Sequence, residues 1–79
     1  MKGKVITLEN NKKYLILDNI SYKKEKYLYL SSLAPNNLKI CFAKASKENG
    51  SFFIEEIKDE NLIKELSAYY ITHYTSKDN

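Results

Sequence analysis

With 79 residues, 43% of them hydrophobic, the chain can build one modest core and no second one, and its sheet needs cover on at least one face, from its own helix or from a second copy. One cysteine, Cys41, excludes an internal disulfide and fits a reducing compartment, and the lack of any apolar run of signal or membrane-span length points to a cytoplasmic protein. The formal net charge is +3 and all 13 basic residues are lysine, so the planar fork with which arginine reads guanine edges is missing, while loose phosphate binding is not excluded.

Taken in order, residues 4–8 form a short β-branched run, closed by Glu9-Asn10-Asn11-Lys12, where asparagine tolerates the left-handed conformation that a tight turn needs. A second strand is expected over 13–21 and a third over 27–33, the latter ending against the loop Ala34-Pro35-Asn36-Asn37. The fourth, 38–44, alternates, with Leu38, Ile40 and Phe42 on one side and Lys39, Cys41 and Ala43 on the other. Asn49-Gly50 then marks a hairpin into a fifth strand over 51–57.

From Asp59 the apolar period changes to three and four. Leu62, Ile63, Leu66, Tyr69, Tyr70 and His73 or Tyr74 share one stripe, Asp59 is placed to cap, and Glu60 sits in the first turn, where the helix dipole favours an acid. A helix over about 59–74 follows, although the strand-like composition of 69–74 also admits a helix that stops near Tyr70 and continues as an extended arm; residues 75–79 should fray. The expected fold is a single α+β domain: a five-stranded antiparallel meander, able to curl into a half-open barrel, with one C-terminal amphipathic helix packed across a face.

The hairpin over 15–33 is apolar on both sides. With Lys24-Glu25 as its turn, Tyr22 pairs with Tyr27, Ile20 with Tyr29 and Asp18 with Ser31; one face then carries Ile16, Ile20, Tyr22, Tyr27, Tyr29 and Leu33, the other Leu15, Leu17, Leu28 and Leu30. Tyr22, Tyr27 and Tyr29, flanked by Lys23, Lys24 and Lys26, are therefore either a partner-binding surface or cross-strand pairs under the helix.

No catalytic, cofactor-binding or metal-ligating set is expected. One histidine and one cysteine fall short of a zinc site, His73 and Cys41 read as packing or surface residues, Gly3 and Gly50 form no phosphate loop, and Glu55-Glu56 point to opposite faces of a strand.

The run Leu17-Asp18-Asn19-Ile20-Ser21-Tyr22-Lys23-Lys24-Glu25-Lys26-Tyr27-Leu28-Tyr29-Leu30, the Asn-Gly turn, the strand end Ile54-Glu55-Glu56-Ile57 and the helix opening Asp59-Glu60 resemble the small uncharacterised YrzB-like proteins of Gram-positive bacteria. The resemblance spans most of the chain through structural motifs, and this sequence departs from that pattern in being lysine-rich. It implies the fold type and a bacterial source, and brings no activity with it.

The functional expectation is a small non-enzymatic protein-binding or regulatory module of a bacterium or its mobile elements. It would act through the hairpin face of Tyr22, Lys23, Lys24, Lys26, Tyr27 and Tyr29 or through an open sheet edge, on a protein partner or a second copy, without cofactor, membrane or small-molecule substrate. Charge suggests two alternatives. Residues 1–47 carry ten lysines against three acids, a net of +7, which suits nucleic acid; residues 48–79 carry three lysines against seven acids, a net of −4, which suits an inhibitor that mimics nucleic acid through Glu48, Glu55, Glu56, Glu60 and Glu65.

Overall fold

A computed structural model describes residues 2–33 and 38–75, apart from the side chain of Thr75. Five strands, β1 (Val5–Thr7), β2 (Lys13–Tyr22), β3 (Glu25–Ser32), β4 (Ile40–Glu48) and β5 (Ser51–Glu56), precede helix α1 (Glu60–Tyr70) and a π-helical turn (Ile71–Thr75). They pair in chain order, each antiparallel to the next, and the sheet curls into a half-open barrel. This is the meander and C-terminal helix expected from the sequence. The loop expected at residues 34–37 and the frayed tail beyond Thr75 lie outside the described residues.

Two local expectations need correction. The β2–β3 turn is Lys23-Lys24, not Lys24-Glu25: both lysines have positive φ, 50° and 67°, and Tyr22 stands opposite Glu25, so Ile20 pairs with Tyr27 and Asp18 with Tyr29. A turn of this hand normally uses Asn-Gly, as Asn49-Gly50 does between β4 and β5 with φ of 50° and 83°. Fully buried packing further along the strands outweighs that local strain. The second correction is the end of β4, which runs on through Ser46 and Lys47 to Glu48 despite their polarity, because the two-residue Asn-Gly turn carries the pairing to its flanking residues.

The register shifts between Ile16 and Asp18, where Leu17 is the extra residue of a bulge. One inserted residue reverses the side-chain parity of β2. Tyr14 and Ile16 thus point into the curl with Leu28, Leu30, Ala43 and Leu8, while Ile20 and Tyr22 point out toward the helix with Tyr27 and Tyr29. The inner cluster also takes in Ile6, Cys41, Ala45 and Ile54, so every strand contributes to it. A sheet apolar on both faces is stable here because its own curvature hides one face and α1 hides part of the other.

The cap of α1 is as expected: Asp59 accepts a 3.0 Å bond from the Asn61 N–H, with Glu60 in the first turn. Leu66 is fully buried, and Leu62, Ile63, Tyr69 and Tyr70 pack beside it on the sheet. After Tyr70 the chain does not become an extended arm. It widens into the π-helical turn, and Tyr74 stacks on Tyr70 at 5.4 Å and accepts from the Ser21 N–H at 3.1 Å.

Candidate functional site

The hairpin residues Tyr22, Lys23, Lys24, Lys26, Tyr27 and Tyr29 fall into two groups. The rings serve helix docking. Tyr27 is 6% exposed. Tyr29 is half-buried, stacked on Tyr70 at 4.2 Å and tilted against Phe42 at 5.2 Å; Tyr22 meets Tyr69 at 4.7 Å. Tyrosine hydroxyls complete the joint: Tyr22 donates to Glu65 at 3.0 Å and Tyr70 to Asp18 at 3.2 Å, and burial together with the Asp18 carboxylate pushes the Tyr70 phenol up from its ordinary value.

The lysines stay in water. Lys23 lies 3.8 Å from Glu65 and 5.3 Å from the Tyr22 ring centre, Lys24 is exposed at the turn tip, and Lys26 shares one mouth of the curl with Lys47 and Phe52. Lys44 pairs with Glu25 at 3.4 Å. Exposed pairs of this kind contribute little to stability.

The two residues with intrinsic reactivity are engaged in packing. Cys41 points into the inner cluster, and burial, with Glu56 adding to it, pushes its thiol up to about 11 although Lys39 works the other way. His73 is exposed, with its ring stacked on Tyr69 at 4.2 Å and its Nδ1 3.2 Å from the Tyr69 carbonyl oxygen. Among the described residues no cluster of three or more His, Cys, Asp or Glu side chains forms a metal site, and no helix is long and apolar enough to cross a membrane.

The open edge of the sheet lies at β5, opposite the end of β1. Ile57 donates to the Phe42 carbonyl at 2.8 Å, and antiparallel alternation from that bond turns the N–H and C=O of Phe53 and Glu55 toward β4 and those of Phe52, Ile54 and Glu56 outward. The outward groups have no strand partner among the described residues, because β5 ends the sheet. Phe52 is 62% and Phe53 49% exposed. β5 holds no proline, no lysine and no register shift, and its only charges are Glu55 and Glu56 at its C-terminal end. β1 is protected by its length of three residues and by Lys2 and Lys4 just before it.

Between the two edges runs an open trough. Thr7, Leu8 and Glu9 face Phe52, Phe53, Ile54 and Glu55 across a space of about 640 Å³, within the size range of ligand clefts. It continues past Asn10 to Glu56 and Lys58. Of the five acids grouped by the sequence, Glu48 and Glu55 line this trough and Glu56 its continuation, Glu60 lies with Glu56 in a second groove beside Cys41 and Ile63, and Glu65 is engaged by Lys23 and Tyr22. The sequence pointed to an open edge without assigning residues to it. The signal was there: adjacent aromatics in a strand, Phe52-Phe53, cannot both enter one core.

Fold and edge together define a class, the half-open five-stranded antiparallel barrel covered on its outside by one helix and unpaired at both rims, of which β5 is the longer. Compared with protein-family models, with curated proteins and with solved structures, the chain matches none of them.

Proposed function

We propose that this chain is a small, non-enzymatic protein-binding module of a bacterial cytoplasm that takes up an extended segment of its partner at the outer edge of β5. The observation that carries this reading is the unpaired edge, with outward backbone groups at Phe52, Ile54 and Glu56 beside two exposed phenylalanines. Binding rather than chemistry is supported by the structural employment of Cys41 and His73. The hairpin tyrosines are packed against the helix, so the partner surface moves from the Tyr22, Tyr27 and Tyr29 face to the edge.

The test is capture of partners by the tagged full chain and by Phe52→Pro, which removes one outward N–H at a position where an edge strand tolerates proline. Circular dichroism confirms that the variant is folded. The same partners lost with Phe52→Pro, and kept with the turn variant Lys24→Gly, support the reading; partners indifferent to Phe52→Pro contradict it.

A second reading, binding of single-stranded nucleic acid, is favoured by Lys26, Lys47 and Phe52 meeting at one mouth of the curl, where a base could stack on the ring above two cations. Affinity for oligonucleotides that falls steeply with salt supports it, and no binding at low salt removes it.

A further inference from the structure

We infer that the occupant of the trough is an extended peptide segment in which apolar residues alternate with lysine or arginine, running antiparallel to both β5 and β1 so that it closes the half-barrel as a sixth strand. This rests on the edge-binding reading above and specifies the partner's chemistry and direction.

Direction follows from parity. Four successive antiparallel pairings leave β1 and β5 running the same way, so the two rims cannot seal to each other as a further antiparallel pair. One inserted strand is antiparallel to both at once and continues the meander into a six-stranded barrel. Backbone groups await it on either side. The alternation that frees Phe52, Ile54 and Glu56 has its counterpart on β1, where Leu8 donates to the Lys12 carbonyl and Ile16 to the Lys4 carbonyl, which turns the N–H and C=O of Val5 and Thr7 outward.

Side-chain chemistry follows from the lining. Ile54 packs on the inner cluster, which also holds Leu8, so alternate residues of the added strand meet an apolar interior. The outer rim is acidic: Glu9, Glu48 and Glu55 line the trough and no lysine does, in a chain whose total charge is +3. None of these three carboxylates has an ion-pair partner among the described residues. Alternate basic residues neutralise them. A second copy offering its own β5 brings no cation over Ser51–Glu56, and sets further carboxylates against the same rim.

The experiment titrates the full chain, isotopically labelled, with two synthetic eight-residue peptides, one alternating valine with lysine and one alternating valine with glutamate, and follows each amide by NMR. The lysine peptide is expected to shift and protect Phe52, Ile54, Glu56 and Thr7, and to bind at least about tenfold tighter than the glutamate peptide, as steering by two or more charge pairs requires. The double variant Glu9→Gln, Glu55→Gln, altered only at exposed carboxylates, should remove most of that preference. A spin label at the N-terminus of the lysine peptide should broaden Glu56 rather than Ser51.

Equal binding of both peptides at β5 overturns the charge assignment and leaves the edge reading standing. Binding at β5 with Thr7 unmoved, or a label that broadens Ser51, overturns barrel closure while the edge reading again survives. Self-association through β5 that excludes both peptides names a second copy and overturns the proposal. Binding of neither peptide overturns the proposal too, and the edge reading is then judged separately by partner capture with Phe52→Pro.

Discussion

Single side chains here act mainly through where the backbone holds them. Cys41 lies inside the curl, and its thiol stays protonated into the alkaline range because burial, reinforced by Glu56, pushes it up from 9.0 to about 11. At pH 8 an uncharged thiol reagent should label the native chain about 100-fold more slowly than the urea-unfolded chain, since the thiolate is the reacting form. The folded pKa lies above the unfolded one, so this contribution to stability is complete below pH 9 and is lost as pH rises through 11. Native labelling as fast as unfolded labelling would place Cys41 at the surface. Lys23 and Lys24 illustrate strain at the same scale, both held in the left-handed region. The double substitution Lys23→Asn, Lys24→Gly should stabilise the chain by about 1 kcal/mol in urea titrations, because an Asn-Gly pair adopts that turn without steric cost.

At the scale of elements, the helix and sheet are joined by one buried leucine and a series of rings. Leu66→Ala leaves a cavity between α1 and the sheet and should cost about 3 kcal/mol, read as a lower urea midpoint with the tyrosine packing signal lost in near-ultraviolet circular dichroism. A loss below about 1 kcal/mol would mean that Leu66 is not the anchor and that the helix is held by the residues packed beside it, Leu62, Ile63 and the tyrosines. Asp59→Ala removes the bond to the Asn61 N–H and should cost about 1 kcal/mol. The number and type of elements were legible in the sequence because their signals are local: alternation in β4, Asn49-Gly50, the Asp59 cap and the stripe ending in Leu66, Tyr69 and Tyr70. The hairpin register was not. It depends on the bulge at Leu17, which carries no glycine to announce it, and on a turn built from two lysines, so the parity that sends Ile16 inward and Ile20 outward is set by packing. The π-helical turn was hidden for a similar reason: Tyr74 reaches β2 through a contact 53 residues away in the chain.

For the whole molecule, covering one face by curvature and the other by the helix leaves the rims as what the fold exposes. An odd number of antiparallel strands makes those rims run parallel, and only one of them, β1, is short and flanked by lysines. The sequence contained this in the meander order and in Phe52-Phe53, but the alignment of β5 with Thr7, Leu8 and Glu9 requires the curl, which no local pattern encodes. The central claim is that the outer edge of β5 is open in the free chain. Residue-resolved amide hydrogen exchange on the dilute protein tests it most directly. An open edge predicts an alternation along one strand, with Phe53, Glu55 and Ile57 protected and Phe52, Ile54 and Glu56 exchanging as freely as exposed turn amides. Equal protection of all six would contradict it, because the edge would then already be paired.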